Sequence, residues 1–195
     1  YANLQYTLVQ HPAYLALPGN RQLYVTKNII KGGYLCVLVV WASIVVLPDV
    51  ARGHWNSWMI ATFGSLYCSN DFVGLLRVPG LPMSTRLHHI CCLSLLMVAW
   101  TVEFQYSNIG QLIVFYTFFS AAAFPVNLYL GLRLIMEDTE WLRTISKWVY
   151  VISCALNWAL QAYWFKLSTD TSWYMCLIFG IIYDDIVLIR WLWRV

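Results

Sequence analysis

The sequence predicts an all-α membrane protein of six transmembrane helices, with both chain ends on one positively charged side. Three observations carry that expectation. Of the 195 residues, 61% are hydrophobic, 17% aromatic and only 11% charged, where a soluble domain averages about 25% charged. So few charges could not cover the surface of a water-soluble fold. About 20 apolar residues span a bilayer, and the apolar residues here fall into six such stretches with short polar breaks between them. The third observation is the placement of the basic residues, which alternates with those stretches.

Residues 1–31 mix polar and apolar side chains, with His11-Pro12 and Pro18-Gly19-Asn20 as breakers. They read as an N-terminal surface segment whose last part, 20–31, approaches the membrane as an amphipathic stretch. Residues 32–195 make up the six-helix transmembrane domain. The first span is expected over about 32–47, ending at Pro48-Asp49, and the second over about 57–76, interrupted by Ser69, Asn70 and Asp71. The turn Pro79-Gly80-Leu81-Pro82 is short, so spans two and three form a hairpin. Ser84 or Thr85 is placed to cap span three, about 86–103. Span four, about 109–135, holds Pro125, whose ring removes a backbone hydrogen bond and bends the helix. The carbonyl freed near Ala121 then needs a side chain or a water, because lipid offers no donor. The polar run 137–147 precedes span five, about 148–165, and span six, about 173–193, carries Asp184, Asp185 and Arg190.

Six spans place Arg21, Lys27, Lys31, Arg77, Arg86, Arg133, Arg143, Lys147, Arg190 and Arg194 on one face and only Arg52 and Lys166 on the other. Ten against two is a strong positive-inside bias, and removing one span would scramble it. Trp55, Trp58, Trp141, Trp148, Trp173, Trp191 and Trp193 sit near the span ends, where indoles favour the interface. The net charge of +3 follows the membrane topology and forms no basic patch, so nucleic acid is not an expected partner. No internal repeat or low-complexity segment is present.

Cys36, Cys68, Cys91, Cys92, Cys154 and Cys176 all fall in apolar segments without a CxxC pair, and are expected to be buried thiols in helix cores. His88 and Cys92 have i, i+4 spacing, but the sequence offers no third ligand beside them. No metal and no other cofactor is therefore expected. There is no GxSxG elbow, phosphate loop or HExxH zinc helix.

Ionisable residues inside spans are costly and by default point to function. Here they are Asp71, His88, His89, Asp184 and Asp185. Span two meets Asp71 in its last turns, span three opens with the histidines, and span six reaches its aspartates in its second half. All five share the basic-side leaflet, and Asn127 in span four lies at the same level. One polar pocket between helices is the expectation. The plainer arrangement pairs Asp71 with Arg77 or Arg86, and Asp184 or Asp185 with Arg190. Adjacent helical residues point about 100° apart, so His88 and His89 are not expected to face one point.

An Asp-bearing helix "LYCSNDFVGLL", a Pro/Gly turn, "LHHICCLSLL" and then "FYTFFSAAAFPVNLYLGLRL" together resemble the TLC domain. That family includes the translocation-associated membrane proteins and the ceramide synthases. The resemblance spans about residues 25–193, and its most specific elements are His88-His89 and the "FPVN" segment. It implies a helical bundle around an intramembrane cavity, with Asp71, His88, His89 and Asn127 as family-matching positions. Ceramide synthases follow their histidine pair with a further His-Asp and a downstream Asp. Here the stretch reads "ICCLSLLMVAWTVEFQYSN" and lacks them. Several relatives also carry a Glu where this chain has Ser120 or Ala121.

The expected function is lipid binding or sensing in the cavity, without catalysis, with His88, His89, Asp71, Asn127, Asp184 and Asp185 as lipid-contacting residues. A second reading is a structural or accessory subunit of a larger membrane protein complex. A third is a lipid acyltransferase in which His88 or His89 acts as base or nucleophile, oriented by Asp71. A helix start disfavours imidazolium, which suits a neutral base. Expected partners are membrane lipids and, in the second reading, other membrane subunits. The expected location is a multi-pass position in the endoplasmic reticulum or another organelle membrane, the mitochondrial inner membrane being the alternative.

Overall fold

The computed structural model describes residues 2–78, 80–165 and 172–194. Pro79, Lys166 and Ser168 lie outside the described residues, and with them the expected side of the loop between spans five and six. The chain is all-α, with no strand among the described residues. Its elements are α1 (Ala2–Leu8), α2 (Pro12–Leu15), α3 (Gly19–Trp41), a π-helical turn (Ala42–Val46), α4 (Leu47–Ala51), α5 (Ser57–Arg77), α6 (Met83–Ala99), α7 (Asn108–Ala122), α8 (Phe124–Leu132), α9 (Glu140–Phe165) and α10 (Ser172–Arg194).

Local signals set several of these ends. Asn56 caps α5 by accepting from the Met59 N–H at 3.1 Å, and Ser107 caps α7 by accepting from the Gly110 N–H at 3.0 Å. Pro125 sits in the first turn of α8, where its missing N–H costs nothing. The break that it imposes falls at Ala123, so span four is two helices, as the proline predicts. The Ala121 carbonyl near the break receives the Ala123 N–H, a backbone donor where a side chain or water was expected.

Other boundaries differ from expectation. The first long helix starts at Gly19 and runs without a break through Pro48 to Ala51, because the π-helical turn absorbs the proline. Residues 20–31 are thus its first turns, and Lys27, Asn28 and Lys31 are buried within the bundle. Asp71 lies in unbroken helix. Pro82, not Ser84 or Thr85, precedes α6, and no side chain caps it. Glu140–Lys147 belongs to α9 and does not form a separate polar linker. Cys176 is exposed and Cys36 half-buried, so only Cys68, Cys91, Cys92 and Cys154 are core thiols.

Helix α6 packs between α5 and α10, while α3 packs on α8 and α7, and α9 lies against α7 and α8. A Cβ at Gly32 would stand 2.6 Å from Leu128 and one at Gly131 would stand 3.1 Å from the Val25 carbonyl. These two glycines let α3 and α8 approach at backbone distance, as small residues do between membrane helices. Gly80, at φ +73°, turns the chain between α5 and α6. The N-terminal turns are tied down as well: the Tyr14 hydroxyl lies 3.0 Å from Thr26 Oγ1, and the Gln22 amide donates to the carbonyls of Tyr14 and Leu17.

The core is mostly apolar, but it also encloses polar and charged side chains while large apolar residues face outward. Thr26, Lys27, Lys31, Asp71, His89, Asn157, Gln161, Asp184 and Asp185 are inside, whereas Val37, Ile44, Leu76 and Met97 are each about 70% exposed. Among the described residues, Gly19–Ala51 and Asn108–Leu132 are long and apolar enough to cross a membrane by length and composition, and Met83–Ala99 is a shorter apolar helix.

Candidate functional site: a polar cavity between α3, α6, α8 and α10

A cavity of about 340 Å³ lies at the end of the bundle where α3 and α6 begin and α8 and α10 end. One wall comes from α3 and the end of α8, with Tyr24, Lys27, Lys31, Asn127 and Arg133. The other comes from α6 and α10, with His88, Asp184 and Asp185. Leu35, Tyr67 and Val126 give it an apolar floor and side.

The sequence-predicted residues converge here, with one in the wall behind. Asp71 is fully buried and does not line the cavity; its Oδ1 accepts from the Lys31 ammonium at 2.5 Å. His89 Nδ1 lies 3.2 Å from the same oxygen but is out of line for a hydrogen bond, and Asp71 Oδ2 has no partner. The Nδ1 of His88 lies 3.5 Å from Asp184 Oδ2, and Thr85 Oγ1 donates to the other oxygen, Asp184 Oδ1, at 3.5 Å. The 100° between neighbours therefore distributes the two histidines over two carboxylates while their rings stay in edge contact at 5.7 Å. Asp185 accepts from the Tyr150 hydroxyl at 2.7 Å and the Trp158 indole N–H at 3.3 Å.

The alternative pairing of Asp71 with Arg77 or Arg86, and of Asp184 or Asp185 with Arg190, does not form among the described residues. The partner of Asp71 is Lys31, which the sequence reading had placed among the charges of the basic face. Lys27, Tyr24 and Arg133 were missed as cavity residues too. A signal was available: Tyr24, Lys27, Asn28 and Lys31 follow helical spacing and share one face.

Asp71, His88 and Cys92 offer ligand atoms that all lie within 4.8 Å of one another, so the third ligand that the sequence did not reveal is present. Cationic charge at this carboxylate is already supplied by Lys31, however, and the Cys92 thiol lies 3.0 Å from the Tyr116 hydroxyl.

No family model, curated protein or solved structure matches this chain.

Proposed function

We propose that this chain is a polytopic membrane protein of TLC-like build that holds a lipid in the cavity between α3, α6, α8 and α10, binding or sensing it without transforming it. The observation that carries this reading is the cavity itself, about 340 Å³ with buried charged side chains on two walls and an apolar floor. A head group can meet the polar walls while an acyl chain follows the floor. The outward-facing Val37, Ile44, Leu76 and Met97 support the membrane setting, since they need an apolar surrounding. Gly19–Ala51 and Asn108–Leu132 are long and apolar enough to cross a membrane, and the six-span topology is part of the proposal.

The histidines argue against acyl transfer. A general base must reach the proton it removes, yet both ring nitrogens of His89 are enclosed without a hydrogen-bond partner.

Native mass spectrometry of the purified full chain, followed by lipid extraction, tests the reading. A stoichiometric lipid supports it, and loss of that lipid in a variant with Leu130→Trp, which fills the cavity, places it there. A lipid-free chain that copurifies with protein subunits favours the accessory-subunit reading instead. Labelling of single cysteines near Trp55 from one side, and near Gly80 and Trp141 from the other, tests the six-span topology.

A further inference from the structure

This inference rests on the lipid-binding reading and names the chemistry of the ligand's head. Each buried acid in or behind the cavity has a partner: Asp71 has Lys31, Asp184 has His88 and Thr85, and Asp185 has Tyr150 and Trp158. The basic residues are not matched in the same way. Lys27 is only 5% exposed, lines the cavity, and forms no ion pair among the described residues. The one carboxylate near it, Asp71, is already engaged by Lys31, one helical turn deeper on the same face. On the other side Lys27 packs on Gly74, where a Cβ would come within 2.8 Å of its Nζ.

A second cation stands above it. Arg133 follows α8 and lines the same cavity, beside Tyr24, which is one turn from Lys27 toward the mouth. Its guanidinium carbon lies 4.5 Å from the Trp191 ring centroid, which fixes the plane of the group, and its Nε is buried without an acceptor. Two cations thus line one cavity, one of them with a buried Nε that has no acceptor. A phosphate group is well matched to such an arrangement, since it offers several acceptor oxygens to an ammonium and a guanidinium at once.

We propose that Lys27 and Arg133 form an anion subsite that seats the phosphate of a phosphate-bearing amphiphile whose chains extend along the apolar floor. The buried charge on Lys27 is then compensated by the ligand and not by the protein. An unpaired ammonium inside a membrane protein is costly, and the ligand removes that cost.

The test uses the full chain in neutral detergent, titrated with dioctanoyl phosphatidic acid, with dioctanoylglycerol and with inorganic phosphate. Phosphatidic acid is expected to bind about tenfold or more tightly than dioctanoylglycerol, the scale of one charge-assisted contact. Lys27→Met keeps the length of the side chain against Gly74 and is expected to bring phosphatidic acid binding down to the level of dioctanoylglycerol. Arg133→Gln, outside the tight contact with Gly74, gives the same reading if Lys27→Met fails to fold. Equal binding of both lipids, unaltered by either substitution, overturns the anion subsite and leaves the lipid cavity standing. Binding of neither lipid overturns the lipid reading itself. Phosphate binding as tight as that of phosphatidic acid, and lost in Lys27→Met, upholds the subsite and assigns it to a soluble anion, which overturns the amphiphile.

Discussion

Asp71 and Asp185 are both buried carboxylates, yet their surroundings differ in kind. Asp185 accepts from two neutral donors, Tyr150 and Trp158, one to each oxygen. It ties α9 to α10. Asp71 has a lysine on one oxygen, a misaligned histidine beside the same oxygen and nothing on the other. The first carboxylate is a finished structural knot, and the second is the back of a polar wall whose front faces the cavity. Burial alone does not distinguish structure from site; the completeness of the hydrogen bonding does.

The largest effect should come from breaking the ion pair from one side. Lys31→Met leaves Asp71 as an uncompensated buried charge and should cost about 3–5 kcal/mol of stability. Equilibrium unfolding in mixed micelles measures it, and the double variant Lys31→Met with Asp71→Leu should recover most of the loss. A double variant no better than the single one would show that the pair contributes more than mutual neutralisation. Asp185→Asn should cost less, about 1.5–3 kcal/mol, because it weakens charge-assisted bonds from neutral donors without stranding a charge. An effect as large as that of Lys31→Met would erase the distinction between the two sites.

Smaller changes sharpen it further. Gly32→Ala forces a methyl against Leu128 and the backbone of α8 and should destabilise by about 1–3 kcal/mol, the range for overpacking. Gly74→Ala presses on the end of the flexible Lys27 side chain and comes into ordinary contact with His89 Nε2 at 3.6 Å, so its thermal stability should change less than that of Gly32→Ala while Lys27 is displaced. The smallest effect is expected from His88→Gln, at about 1 kcal/mol, the net worth of one ordinary hydrogen bond, because its contact with Asp184 is long and off line. Thermal unfolding of the three variants in one detergent ranks them.

Much of this arrangement was legible before any coordinates. Apolar runs and Pro/Gly breaks located the long helices, because hydrophobic stretches of that length are hard to accommodate otherwise. Counting depth along alternating spans brought His88, His89, Asp184 and Asp185 to one level, and α6 does lie between α5 and α10. Lys31 escaped because a lysine next to Gly32-Gly33 at the edge of an apolar run reads as an interface charge. Only tertiary packing, the close approach of α3 to α8, carries it inside. Arg133 was misread for the same reason, its indole partner Trp191 being 58 residues away along the chain. Thr85 was read as a cap and is instead a donor toward Asp184 on α10.

The π-helical turn at Ala42–Val46 has a consequence for the rotational phase of the first long helix. The Leu47 N–H reaches back five residues to Ala42, and Pro48, which lacks an N–H, follows at once. Buried positions then recur as Leu38, Ala42, Val46 and Val50, four apart each time. In an ideal α-helix a four-residue step overshoots one turn by about 40°, so three steps would carry the stripe about 120° around the cylinder. The wide turn takes up part of that overshoot and keeps Val46 and Val50 inward. Deleting one residue between Ala42 and Val46 would restore ordinary winding with the far end near its present phase, because the wide turn absorbs that residue, and would press the Pro48 ring on a carbonyl. The helix thus carries one residue more than its length requires, and the wide turn keeps that residue from turning its far end away from the core.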